Sequence, residues 1–208
     1  MNIKILLISI IVLSIILCGC FLFKFDNGGK TMAEVKANHK VLIAYFSRAG
    51  EQYGVGNISE GNTAIIAKII AAKTGGDLFE IKVVNDKYPK GYTELTEYAK
   101  KELQANERPE IIGQVNDFDK YDTVFIGYPV WWGDKPMPVY TFIDSYNFNG
   151  KNIVPFCTHE GSGFCGTQGM EKTGAKILKG LAVYGHVAQK DKNQAENLVT
   201  TWLNGIDY

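Results

Sequence analysis

Neither sign of charge prevails in this chain, where 22 Lys and Arg stand against 22 Asp and Glu. That balance excludes the basic field by which proteins gather nucleic acid, and it supplies no acidic field either. Cysteine is scarce, with 4 residues, and histidine scarcer, with 3. The cysteines fall as Cys18 with Cys20 and Cys157 with Cys165, without a second C-x-x-C or a histidine at zinc spacing, which argues against a metal site. Cys157 and Cys165 flank a glycine-rich loop, and spacing alone leaves open a bridge between them or a small buried hydrophobe at a strand end. Hydrophobic types make up 46% of the 208 residues, so the chain has material for one sizeable core and does not read as disordered.

Charge is missing altogether between Lys4 and Lys24. The run Ile5 to Phe23 would span about 28 Å as a helix, close to the thickness of a hydrocarbon core. Ile5 to Leu17 alone also fits the apolar region of a signal peptide. Leu17-Cys18-Gly19-Cys20 then resembles a bacterial lipobox, which implies lipidation of Cys20, although Phe21-Leu22-Phe23 is more apolar than such sites usually are. Both readings, a lipoprotein signal and an uncleaved single span, place Lys4 inside and the folded part on the extracytoplasmic side of a membrane. Residues 24–38 read as a polar tether, and residues 39–208 as the domain.

The domain opens on Val41-Leu-Ile-Ala-Tyr-Phe46, an apolar run that reads as a strand buried on both faces. A loop from Ser47 to Gly61 leads to a helix over Asn62 to Thr74, where Ile65, Ile66, Ile69 and Ile70 recur at helical spacing and Gly75-Gly76 supplies a stop. A polar residue at the helix start can cap it, and its free N–H groups attract an anion. Ser47, Asn62 and Thr63 add hydroxyl and amide donors there, so the stretch suits a phosphate.

Four more strands follow, over Asp77 to Val83, Thr123 to Tyr128, Asn152 to Cys157 and Leu181 to Val187. They alternate with helices over Thr93 to Ala105, Pro136 to Tyr146, Met170 to Leu178 and Lys192 to Leu203, the last turning Ala195, Leu198, Val199 and Trp202 inward. Pro155 sits awkwardly in its strand and predicts a bulge or one lost bond. No antiparallel hairpin signal interrupts the alternation. The pattern predicts an α/β fold: a three-layer, doubly wound parallel five-stranded sheet of order 2-1-3-4-5 with the mixed strands at its edges. Ligands of such sheets sit at the carboxyl ends of the strands, where the winding reverses.

With three unusual loops at those ends, the chain resembles the flavodoxin family across about Lys40 to Leu203. The resemblance rests on Ala44-Tyr-Phe-Ser47 with Gly61-Asn-Thr63, on Gly127-Tyr-Pro-Val-Trp-Trp-Gly133, and on Thr158-His-Glu-Gly-Ser-Gly163. It implies non-covalent FMN as cofactor. By the same resemblance, Ser47, Arg48, Gly61, Asn62 and Thr63 hold the phosphate. Pro129, Val130, Trp131, Trp132 and Gly133, with Thr158, His159, Gly161, Ser162 and Gly163, enclose the ring. Two features depart from the family. Ala49 to Glu60 exceeds the compact phosphate loop, which leaves open a longer loop over the phosphate or part of a substrate mouth, and the charge balance lacks the acidity that steers true flavodoxins to basic partners.

Each candidate has a plainer reading. The Trp pair also suits a cap on the core at the sheet end. His159 suits a loop histidine bonded to a carbonyl, or a proton donor beside the flavin, and Glu160 a rim residue or a catalytic acid. Gly161-Ser-Gly-Phe-Cys-Gly166 matches G-x-G-x-x-G, but the next strand ends without an acidic residue and too little chain remains for a dinucleotide fold. Three functions stand: an FMN oxidoreductase passing electrons from NAD(P)H or another donor to a quinone-like acceptor, an electron carrier docking to protein partners, and a binding module without flavin.

Overall fold

The computed structural model describes residues 40–208. The apolar segment 1–23, Cys20 and the tether lie outside the described residues, as does His39. Among the described residues, no helix is long and apolar enough to cross a membrane.

β1 (Val41–Tyr45) is buried at every position and is an interior strand of a parallel sheet. Its alternating side chains feed two cores. Val41, Ile43 and Tyr45 meet α1 (Asn62–Thr74), α4 (Gly185–Lys190) and α5 (Lys192–Asn204) on one face. Leu42 and Ala44 meet α2 (Tyr92–Gln104) and α3 (Met137–Asp144) on the other. The three layers of the expected fold are therefore present.

Beside β1 lie β4 (Asp77–Glu80) on one side and β5 (Thr123–Pro129), then β6 (Asn152–His159), on the other. β7 (Lys176–Ile177) and β8 (Leu181–Tyr184) share the last position, pairing with successive parts of β6. The order matches 2-1-3-4-5, with its fifth place divided.

Pro155 accounts for the division. No bulge forms, because Pro155 pairs in register with Ile126 of β5. The carbonyls of Lys151 and Ile153 accept from Lys176 and Leu178, so alternate residues of β6 face β7 and β8. Pro155 is the next residue in that series, and its missing N–H falls between the pairs Ile153–Ile177 and Phe156–Leu181. The absent donor coincides with the gap.

Several elements differ from the sequence expectation, among them the second strand, which ends at Glu80 instead of Val83. Met170 to Leu178 is no α-helix: one 3₁₀ turn, Met170–Thr173, is bracketed by Gly169 and Gly174 at φ of 82° and 77°. Thr173 Oγ1 donates to the Met170 carbonyl and accepts from Ala175 N–H, which ends the turn. The last strand stops at Tyr184 instead of Val187, because the Glu160 carboxylate accepts from His186 N–H and α4 starts there. Leu198, expected inside, is 38% exposed on α5.

A further difference is a hairpin. Within the long phosphate loop, β2 (Gly50–Gln52) and β3 (Gly56–Ile58) pair antiparallel as a separate two-stranded sheet. Gly50, Gly54 and Gly56 all have positive φ, so three glycines shape this ribbon and its turn.

Candidate functional site

The cap of α1 comes from another element than expected. Gly61 occupies the cap position and offers no side chain, while Ser47 Oγ, just past β1, accepts from Ala64 N–H at 3.0 Å. A Cβ on Gly61 would overlap Ser47 Oγ, so glycine permits the approach. The amides of Asn62 and Thr63 open the helix without intrahelical acceptors, and the Ser47 hydroxyl keeps its proton to donate. Asn62 Oδ1 accepts from Gln189, which also donates to the Glu60 carbonyl. The buried Thr63 hydroxyl meets the Thr158 hydroxyl at the end of β6.

Arg48 is placed differently from the phosphate role read in the sequence. Its guanidinium pairs with Asp86 at 2.8 Å, donates to the Tyr88 carbonyl and lies over the Tyr88 ring. Its Nε is buried with no hydrogen-bond partner among the described residues. One donor of this loop therefore lacks an acceptor.

After β5 the chain makes a second tight feature. Trp131 and Asp134 exchange both backbone hydrogen bonds, closing a two-residue turn whose central residues have φ of 54° (Trp132) and 74° (Gly133). That is a type I′ turn, and a tryptophan in its left-handed position costs about 1–2 kcal/mol. The strain divides the work of the pair. Trp131 turns inward and meets Phe46 and Tyr88 edge-on at 5.5 and 5.4 Å. Trp132 stands out, 53% exposed, with its Nε1–H on the Thr96 carbonyl and Lys100 over its ring. Behind Trp131, the Tyr88 hydroxyl donates to buried Glu102, whose carboxyl is held above its usual range by burial.

The third loop leaves β6. His159 Nδ1 accepts from the amides of Gly161 and Gly163 at 3.0 and 3.2 Å, so the ring is neutral with its proton on Nε2. Burial lowers its pKa, in the same sense. It braces its own loop through backbone N–H groups rather than a carbonyl. The Glu160 carboxylate is occupied by His186, through the amide and Nδ1. Cys157 and Cys165 are both free, and burial raises the Cys157 thiol to about 12.

Between these parts lies a cavity of about 340 Å³ lined by Trp131, Trp132, Gly133 and Ser162 from the expected loops. Gln52 of the hairpin and Thr96 of α2 complete it. Sequence reading left a part in a substrate mouth open for the 49–60 loop but missed Thr96; the glycines at 50, 54 and 56 are the signal that would have exposed the hairpin. Glu51 ties that hairpin to α2 by accepting from Tyr92 N–H at 2.8 Å. Gly133, Gly161 and Gly163 have positive φ and open space where a Cβ would stand, so two backbone stretches present bare edges. A flat ring beside the tryptophans and an anion at α1 fit this donor set. Among the described residues, no cluster of His, Cys, Asp or Glu is placed to hold a metal.

The flavodoxin family model matches residues 40–206. A candidate flavoprotein of Bacteroides eggerthii DSM 20697 is 28% identical with a TM-score of 0.62, over 81% of this chain and 98% of its own. One from Bacteroides uniformis ATCC 8492 is 26% identical with a TM-score of 0.61, over 80% and 99%. A flavoprotein of Lactobacillus acidophilus NCFM, solved in complex with FMN, is 26% identical with a TM-score of 0.56, over 74% and 97%. No curated protein matches the chain.

Proposed function

This chain belongs to the flavodoxin family, and from that premise we propose that it binds FMN non-covalently and works as an oxidoreductase. The electrons pass from NAD(P)H or a similar donor to a quinone-like acceptor. The observation that carries the reading is the 340 Å³ cavity at the carboxyl ends of β5 and β6, lined by Trp131 and Trp132 together with the hairpin and α2. FMN, when bound, supplies reversible storage of electrons.

The protein's part is to bind, orient and exclude. Ser47 Oγ–H and the amides of Asn62 and Thr63 take the phosphate, while Arg48 is held aside by Asp86 and Tyr88. Trp132 offers a face for stacking, worth about 0.5–1.5 kcal/mol beyond buried area. The loop braced by His159 presents its backbone to the polar edge of the ring. His159 Nε2–H is a hydrogen-bond donor at this rim, while Glu160 acts through His186 by fixing the start of α4.

The full chain, purified in detergent, is expected to be yellow or to become so with FMN, and to turn over NAD(P)H with a quinone. A colourless protein that cannot be loaded sinks the cofactor. A flavin reduced reversibly by one electron, without turnover of any nicotinamide–quinone pair, favours the electron carrier instead, a reading the charge balance does not support.

Residues 1–23 are proposed to hold the domain at the extracytoplasmic face of a membrane. Cys20→Ser separates the two modes. A lipid mass on the wild type that the variant lacks supports lipidation, and an unmodified wild-type chain that keeps residues 1–19 supports an uncleaved span.

A further inference from the structure

Lys135 follows the aromatic turn directly, and its side chain is fully buried. Buried lysines are rare, and this one has partners on three sides. Its Nζ donates to the Gln168 carbonyl at 2.5 Å, lies 3.5 Å from Asp134 Oδ1, and sits 3.5 Å from the centre of the Tyr140 ring. Asp134 is fixed in turn, accepting from Lys135 N–H through Oδ1 and from the Tyr140 hydroxyl through Oδ2.

These partners belong to the two loops that contribute Trp132, Gly133 and Ser162 to the cavity. Asp134 closes the turn that carries Trp132 and Gly133. Gln168 ends the loop that runs from His159 through Ser162. The same two segments touch at Gly166, where a Cβ would stand 2.9 Å from Lys135 N and 2.7 Å from the Tyr128 ring. The Tyr128 hydroxyl adds a bond to the Cys165 carbonyl. One ammonium thus joins the two loops.

We propose that Lys135 is a positioning residue for the flavin ring: its buried ammonium sets the spacing between the Trp131–Trp132 turn and the glycine-rich loop opposite. The proposal rests on the FMN reading above. The charged groups around Nζ are Asp134 on the turn, Glu171 in the 3₁₀ segment and Arg108 beyond α2, with the Tyr140 hydroxyl on α3. Burial outweighs the two carboxylates and lowers the lysine from 10.5 to about 8.

The sign of that shift makes the role separable from plain structural support. Between about pH 8 and 10.5 the unfolded chain binds a proton at Lys135 that the folded chain has released, so this group makes global stability rise with pH. The tie behaves oppositely. The neutral amine loses its attraction to Asp134 and to the Tyr140 face, and keeps only neutral hydrogen bonds. A residue that merely supported the fold would move both in one direction.

The test uses the full chain in detergent. The FMN dissociation constant and the tryptophan fluorescence of the flavin-free protein are followed from roughly pH 6.5 to 9.5, beside thermal unfolding. The wild type is expected to lose FMN affinity about tenfold through an inflection near 8, with the flavin-free fluorescence changing at the same pH and no fall in melting temperature. Lys135→Met, which keeps volume and removes charge, is expected to bind FMN about tenfold more weakly at neutral pH and to show neither inflection. Wild-type affinity and fluorescence that stay flat across the range overturn the proposal, whether or not the variant folds. So does a Lys135→Met protein with wild-type affinity or an unchanged inflection. A fluorescence inflection that Lys135→Met abolishes, in a protein that takes up no FMN at any pH, keeps the tie and discards the flavin reading.

Discussion

The hydroxyls of Thr63 and Thr158 lie 2.8 Å apart with both residues buried, and this one bond joins the first turn of α1 to the end of β6. The two ends of the proposed FMN site are thereby fixed to each other. Thr63→Val leaves the Thr158 hydroxyl buried and unsatisfied, at a cost of about 1–3 kcal/mol in stability. The double variant Thr63→Val, Thr158→Val should recover part of that loss, since neither hydroxyl then lacks a partner. Urea unfolding of the four proteins measures the cycle, and strictly additive losses would mean the bond contributes nothing.

The two tryptophans should separate by assay. Trp131, wedged edge-on between Phe46 and Tyr88, supports the core: Trp131→Ala should cost about 3 kcal/mol of stability. Trp132, half exposed, should cost little stability when cut to alanine and lower FMN affinity about tenfold, read by quenching of flavin fluorescence. Equal effects of both substitutions on FMN binding would contradict the division.

His159 gives the site a sensitivity to acid. Its Nδ1 can accept from Gly161 and Gly163 only while unprotonated, and burial lowers its pKa from 6.5. A depressed folded-state pKa means that the stabilisation is complete above 6.5 and is lost as pH falls through the folded value. FMN should therefore be released more readily on acidification below 6.5, and His159→Gln should flatten that dependence. A pH-independent release rate in the wild type would show that the loop does not need this acceptor.

The β2–β3 hairpin forms its own ladder and touches α2 through the Glu51 carboxylate. Replacing residues 50–58 by a short Gly-Ser linker should leave the thermal transition nearly in place and speed FMN release about tenfold, measured by stopped-flow. An unchanged release rate would assign the hairpin no part in retaining the flavin.

The long-range plan was legible where the residue pattern was strong. An unbroken apolar run marked β1, and spaced isoleucines with a glycine pair gave α1 its bounds from Asn62 to Thr74, closed by Gly75 at φ 70°. The three loops at the strand ends could be located because Trp-Trp, glycine and hydroxyl residues are concentrated there. What pattern could not give was local competition. Thr173 and two left-handed glycines cut a helical-looking run to one turn, and Glu160 started α4 from a distant loop. Lys135 was invisible for a similar reason. Its partners Gln168 and Tyr140 converge only once the loops are folded, and a lone lysine after Trp-Trp-Gly-Asp reads as exposed.

Pro155 reaches further than its own strand. By denying the neighbouring chain an N–H, it makes the backbone step aside between Ile177 and Leu181. At that step Gly180 lies so close to the Phe164 ring that an added Cβ would overlap it. Phe164 belongs to the segment that continues from Gly163, so the glycine-rich loop after β6 rests on a ledge that exists because a strand was interrupted. The rear support of the site was set by a residue that does not line the cavity.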